Sequence, residues 1–336
     1  MGETVELEAA GRTVRLSSPG KIFFPERGFT KLDLARYYIA VGPGILRALR
    51  DRPTTLERYP EGVTGENFFQ KRAPKNMPDW IPTAHITFPS GRSADEMCPT
   101  EVAAVVWAAQ FGTLTFHPWP VRRADVDRPD ELRIDLDPQP GTDYADAVRA
   151  AHELREVLHE YGGLRGWPKT SGGRGLHVFV PIRPDWTFTQ MRRSAIAVAR
   201  ELERRMPEQV TTAWWKEERG AKIFVDYNQT ARDRTIASAY SVRPHPHAPV
   251  SAPLTWDEVG VAVPRDFDLG TMPSRFAEVG DVHADMDEHA FSLEALLELA
   301  ARDEHDHGLG DLPYPPEYPK MPGEPKRVQP SRARKG

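Results

Sequence analysis

Residues 131–141 read ELRIDLDPQPG. Leu132, Ile134 and Leu136 alternate with Arg133, Asp135 and Asp137, the period-2 pattern of a strand with one apolar and one charged face. Asp135 and Asp137 therefore point the same way, about 6–7 Å apart along the strand. Carboxylates that close repel each other unless a cation sits between them. Pro138 cannot continue a ladder, so the strand stops just past the second Asp and leaves it at a sheet edge or end. Taken alone, the segment is either a metal-holding strand end or a solvated face running into a turn.

A chain of 336 residues can bury a sizeable core, as one large domain or two closely packed lobes. Its 39% hydrophobic and 28% charged residues are typical of soluble globular proteins. The best apolar run, 102–109, is far short of the ~20 residues of a membrane span. The acidic opening MGETVELEAA lacks an apolar signal core, and the single Cys98 excludes an internal disulfide and a thiolate metal cluster. The expectation is a cytoplasmic protein with no membrane partner. A net charge of −5 argues against a protein that merely coats nucleic acid. It leaves room for a local basic groove beside an acidic catalytic centre.

Outward from the Asp strand, helices alternate with hairpin-like and crossover-connected strands, which predicts an α+β or mixed α/β fold with layered sheets. Residues 4–16 read as a hairpin around Ala10-Gly11-Arg12, and 17–29 as an aromatic-rich turn segment. Thr30, Thr100 and Thr142 are the expected caps of three helices. Gly42 to Gly44 interrupts the first, with 45–49 continuing it. Strands are expected at 53–59, 114–119, 222–227 and 236–242, with a strand–turn–strand at 169–181. Residues 188–206 form a helix with a strongly basic outer face, and 292–301 a further helical pattern. The Pro-rich 244–253 and the Pro-rich, basic 311–336 are expected to lack regular elements.

Three further stretches carry chemistry. In KTSGGRGLHVFVP (169–181), glycines let successive N–H groups turn toward one anion, while Ser171 and Arg174 add a hydroxyl and a guanidinium. The other reading is a hairpin turn with a surface arginine. In KIFVDYNQ (222–229), Asp226 ends an apolar run, as either a turn cap or a third strand-borne carboxylate. Three such carboxylates and an anion-binding turn suffice for two-metal phosphoryl transfer. His117, in FHPWP, is either a packed histidine or part of a site.

The ordered set FHPW, DLDP, TSGGRGLH, FVDYNQ and YSVR resembles the polymerase domain of bacterial multifunctional DNA ligase D, within the archaeo-eukaryotic primase–polymerase superfamily. The likeness spans about residues 17–256. It implies a primase–polymerase fold of layered β-sheets flanked by helices. The catalytic domain would occupy 1–260, with a DNA- and 5′-phosphate-contacting part at 1–110 and a core at 111–260. A helical extension, 261–310, and the 311–336 tail would follow. By the same resemblance Asp135, Asp137 and Asp226 bind two metal ions, Mn²⁺ or Mg²⁺. His117, Ser171, Gly172, Arg174, Arg219, Gln229 and Arg243 hold a nucleoside triphosphate. Lys21 and Lys31 hold a 5′-phosphate across a DNA gap, and Phe68, Phe69 and Lys71 meet the template there. Adjacent aromatics make a sequence-tolerant stacking platform, and lysines serve as phosphate point charges. The implied activity is primer extension at short gaps or breaks, with ribonucleotides preferred. The implied partners are gapped or broken duplex, the Ku end-binding protein and a separate DNA ligase. No ligase motif is present.

The chain departs from the family pattern at four places. Arg174 stands for a lysine, Ser18 for an asparagine, and Thr115 for an acid two residues before His117. His245 stands for a second arginine, which would make triphosphate binding weaker or pH-dependent near neutrality. A nucleotide KM flat across about pH 6–8 would count against that expectation. De novo priming, a metal-dependent nuclease and a non-catalytic binding module are the other readings. A nuclease needs no triphosphate cradle, and a binding module needs no three-Asp cluster.

Overall fold

The computed structural model describes residues 3–88 and 90–314. The N-terminal part holds the hairpin β1 (Thr4–Ala9) and β2 (Arg12–Ser17), the hairpin β3 (Ile22–Phe24) and β4 (Phe29–Thr30), and helices α1 (Lys31–Ala40) and α2 (Gly42–Leu49). It continues through β5 (Thr54–Arg58), β6 (Phe68–Gln70), the hairpin β7 (Thr83–Thr87) and β8 (Ser93–Met97), α3 (Val102–Gln110) and β9 (Thr113–Pro118). Then come β10 (Glu131–Pro138), α4 (Tyr144–Glu160), β11 (Trp167–Thr170), β12 (Leu176–Pro181), α5 (Phe188–Arg205), β13 (Val210–Thr211) and β14 (Ile223–Val225). The C-terminal part holds α6 (Trp256–Val259), α7 (Met272–Val279) and α8 (Glu294–His307).

The Asp strand, β10, is the middle of a five-stranded sheet ordered β11-β12-β10-β14-β13. All its pairings are antiparallel except β13 with β14. Leu132, Ile134 and Leu136 pack into one core with Ala147, Ala151 and Leu154 of α4 and Met191, Ala195 and Leu202 of α5. Helices thus cover one face of the sheet, and the face bearing Arg133, Asp135 and Asp137 is turned from them. A second core joins α1, α2 and α3 with Leu56 of β5, Leu114 and Phe116 of β9, and the irregular segment from Ala239 to Ala252. That segment stitches the two layers together: Ser238 N–H donates to the Phe116 carbonyl, and Thr170 N–H to the Ala252 carbonyl.

Several local expectations change on the structure. Arg133 is not on a solvated face; it is 2% exposed and bonds Glu131 and the Pro118 carbonyl. The second layer covers it, and the neighbouring guanidinium groups outweigh burial to hold the Glu131 carboxyl down at about 2. Thr30 does cap α1, in a box with Asp33. Thr100 and Thr142 do not cap: the N-cap of α3 is Glu101, whose carboxylate binds Arg12, and that of α4 is Asp143, boxed with Asp146. The break expected at Gly42 to Gly44 falls one residue earlier, at Val41 between α1 and α2, and Gly42 opens α2, where a Cβ would sit 2.9 Å from Val102. Residues 236–242 form no strand: Tyr240 sits at φ 64°, which breaks the extended run, and Val242 makes an isolated bridge to Val250. The basic face of α5 is neutralised within the chain, with Arg193 on Glu304, Arg204 on Glu201 and Asp303, and Arg205 on Glu153 and Glu160. Residues 315–336 of the tail lie outside the described residues. Among the described residues no helix is long and apolar enough to cross a membrane.

Candidate active site

The antiparallel pairing of β10 with β14 places Leu136 opposite Val225, so Asp226 leaves its strand beside Asp135 and Asp137. Asp226 N–H donates to the Asp135 carbonyl at 2.9 Å. The three carboxylates feel one another. Burial raises the Asp135 carboxyl well above its usual range, and Asp226 and Asp137 push it further. Burial and Asp226 raise Asp137 in the same way. Local donors hold two of them: Gln139 Nε2 on Asp137 Oδ2 at 3.0 Å, Gln229 Nε2 on Asp226 Oδ2 at 3.1 Å. Among the described residues, no three His, Cys, Asp or Glu side chains already stand together as a metal cage. The donor set still fits hard divalent ions, being carboxylate oxygens whose mutual repulsion a cation would relieve.

The Gly-rich turn leaves β11 at Thr170 and enters β12 at Leu176. Its shape is imposed by close packing. Gly172 has φ 79°, and a Cβ there would lie 2.3 Å from Arg243 Cγ. A Cβ on Gly175 would lie 2.7 Å from the Leu136 carbonyl, so the turn is seated directly on the Asp strand. Gly173 and Gly175 N–H groups both donate to Ser171 Oγ. Between the turn and the carboxylates lies a cavity of about 210 Å³. His117, Asp135, Ser171, Gln229, Arg243 and His245 line it, with Gly172 in its wall. Arg243 Nη1 is buried there with no hydrogen-bond partner. An orphaned, desolvated guanidinium N–H is costly and is the donor an anionic occupant would satisfy.

Not every expected residue reaches this cavity. Asp137 and Asp226 border it at the strand ends without lining it. Arg174 lies on the far side of the turn, in an adjoining groove. Arg219 stacks 3.4 Å over Phe224 and donates to the Ala213 and Trp214 carbonyls, facing Asp226 and Asp137 electrostatically rather than the cavity.

Two partners were not legible in the motifs. Glu57, on β5, meets His117 Nε2 at 3.0 Å. The β5–β9 register sets Glu57 opposite Thr115, so the neighbouring strand supplies the acid that position 115 lacks. Burial pushes the Glu57 carboxyl up, but the bond from His117 outweighs it and holds it below the usual range. Burial lowers the His117 imidazole more than Glu57 raises it. Glu57 and His117 thus form one bonded pair at the edge of the cavity. Behind Asp135, His177 Nε2 lies 3.4 Å from Oδ1, and its Nδ1 meets the fully buried Lys169 Nζ at 2.8 Å. The strand TTLER carries no pattern that marks Glu57 out; only the pairing says what it faces.

The second group lies on the N-terminal layer. Lys21 donates to the Pro60 carbonyl and Glu61, and Lys31 to the Ser17 carbonyl. Burial and then Lys21 lower the Lys31 ammonium to about 8. Ser18 sits at φ 51°, the left-handed region that asparagine enters more readily, so that departure bears on the turn beside the lysines. Phe68 and Phe69 are not core residues: they are 46% and 57% exposed on β6. Arg58 lies over the Phe68 ring, and the Phe69 ring is 5.6 Å from His117. Lys71 lies over Phe88.

Three strand-end carboxylates beside a glycine-rich turn backed by an arginine is the arrangement that the primase–polymerase resemblance implied. Residues 30–283 match the family model of the LigD primase–polymerase domain. The chain is 33% identical over 309 residues to the multifunctional non-homologous end joining protein LigD of Mycolicibacterium smegmatis, covering 91% of this chain and 40% of that protein. It is 33% identical over 269 residues to the bifunctional non-homologous end joining protein LigD of Bacillus subtilis, covering 80% and 43%. The chain thus spans about two fifths of the length of these curated relatives. The polymerase domain from Mycobacterium tuberculosis ligase D, solved in complex with DNA, superposes with a TM-score of 0.75 at 30% identity, covering 82% of this chain and 99% of that one. The chain belongs to the LigD primase–polymerase domain family.

Proposed function

We propose that this chain extends a primer 3′-hydroxyl at short gaps or breaks in duplex DNA, template-directed and with ribonucleotides preferred, in non-homologous end joining. The observation that carries this reading is the shared cavity of Asp135, the Ser171–Gly172 turn, His117 and the orphaned Arg243 Nη1. Ser171, held by the Gly173 and Gly175 amides, and Arg243 bind the triphosphate, with Gly172 giving it room; Arg174 adds charge from the far side of the turn. His117, held in place by Glu57, faces the bound nucleotide. Gln229 steadies Asp226, and Arg219 offsets the charge of Asp226 and Asp137. Asp135, Asp137 and Asp226 would hold two divalent ions, Mn²⁺ or Mg²⁺, which lower the pKa of the 3′-hydroxyl and screen the polyphosphate. Lys21 and Lys31 take the 5′-phosphate across the gap, and Phe68, Phe69 and Lys71 the template. Residues 1–260 form the catalytic unit, 1–110 reading DNA and 111–260 doing chemistry, with 261–310 packed upon it. Ku and a separate ligase are the partners this role calls for.

The deciding assay offers a gapped primer–template bearing a 5′-phosphate, with Mn²⁺ and nucleoside triphosphates. Lengthened primers are expected. Shortened primers would mean a nuclease, and unchanged primers with retained binding a non-catalytic module. Asp137→Ala should abolish extension and leave DNA binding largely intact; retained extension would remove the metal assignment. An unprimed single strand given the same nucleotides should yield little product, since the lysine pair and the Phe platform read a downstream end.

A further inference from the structure

A second groove, of about 400 Å³, lies against the outer side of the glycine-rich turn. It shares Gly172, Gly173 and His245 with the cavity beside Asp135, while Asp135 itself is not part of it. Arg27, Arg174, His247 and Arg265 complete its polar lining, and no described lining residue is acidic. These groups come from four distant parts of the chain: the turn of the β3–β4 hairpin, the glycine-rich turn, the 245–249 segment and the turn after Val263. The charges are unevenly satisfied. Arg27 is tied to the buried Asp268 at 2.8 Å, and His247 lies 3.7 Å from Glu26. Arg174 makes only long contacts, at 3.4 and 3.5 Å, to backbone carbonyls. Arg265 is exposed and has no carboxylate partner among the described residues.

We infer that this groove receives the inorganic pyrophosphate released by nucleotidyl transfer. The inference rests on the proposed polymerase activity. In that reaction the primer 3′-oxygen bonds to the α-phosphorus and gives its proton to solvent. The bond from the α-phosphorus to the bridging oxygen breaks, and pyrophosphate departs with the bonding pair. It leaves in line, away from the hydroxyl. The walls common to both spaces are the anion-binding turn and His245, so an anion leaving the cavity enters a groove of matching charge. Its size suits a small polyanion rather than a duplex.

The test measures inhibition of primer extension by added pyrophosphate. Arg265→Glu, on an exposed turn where folding is undisturbed, should weaken inhibition roughly tenfold, as loss of a charge-assisted contact does. Nucleotide KM and gapped-DNA affinity should stay within about twofold, and Arg265→Lys should restore inhibition. Equal inhibition in wild type and Arg265→Glu overturns the assignment. Weakened DNA binding with unchanged inhibition overturns it too, and makes the groove a track for the DNA backbone. Should the wild type extend no primer, the polymerase reading itself fails. Calorimetry with pyrophosphate alone then decides: weaker binding by Arg265→Glu keeps the site, and equal binding removes it.

Discussion

At the ends of β10 and β14 the fold crowds three carboxylates together; some distance away, at the foot of the β3–β4 hairpin, it crowds two lysines. The Asp135 carboxyl is raised by burial and by its acidic neighbours, while the Lys31 ammonium is lowered to about 8 by burial and by Lys21. Each cluster stores repulsion that a ligand of opposite sign would release, in the proposed function a divalent cation at one and a phosphate at the other. The surroundings differ. The carboxylates open on a walled cavity with an orphaned arginine donor, whereas the lysines lie beside two exposed phenylalanines. A small charged substrate is selected by enclosure; a long duplex needs an open platform.

The comparison breaks first on the acidic side. Asp226→Asn should cut single-turnover extension by about a thousandfold or more while gapped-DNA affinity changes only a few-fold. A variant retaining more than about a tenth of the rate would show that the crowded carboxylates are not the reactive end. Glu57→Gln should be milder, on the order of ten- to a hundredfold in kcat/KM, because it frees His117 to reorient without removing it. A loss confined to DNA affinity would instead place Glu57 with the platform. Phe69→Ala should weaken gapped-DNA binding roughly tenfold, the value of one stacked base, with nucleotide KM unchanged. A raised KM with normal DNA affinity would assign the ring to the nucleotide instead.

The smallest effect tests the lysine side. Lys31 has a folded pKa of about 8, below its ordinary 10.5. At pH 7 the fold therefore carries a charged, desolvated ammonium. That cost is full below about 8 and is relieved as pH rises toward 10.5. Lys31→Met should raise the melting temperature at pH 7 by a few degrees, while preference for a 5′-phosphorylated gap disappears. In the wild type that preference should decline as pH rises through about 8, where the unliganded ammonium loses its proton. A preference flat from pH 7 to about 9.5 would separate Lys31 from phosphate reading.

The acidic motifs were readable because their chemistry is local. Alternation in ELRIDLDP places Asp135 and Asp137 on one face whatever surrounds the strand, and the Ser171–Gly175 run can be little else than a turn. Three glycines within it remove the side chains that would keep an anion away. Other features depended on neighbours distant in sequence. The same alternation suggested a solvated face for Arg133, which a second layer covers. Glu57 acquired meaning only when β5 paired with β9, and the exposure of Phe68 and Phe69 followed only from β6 taking the edge of that sheet. The pairing of β10 with β14 brings Asp226 beside residues some ninety positions earlier. Period, turn chemistry and charge belong to the chain itself. Which face is buried, which strand end meets which, and whether like charges are forced together are decided when the layers close, because burial and Coulomb terms depend on what lies opposite.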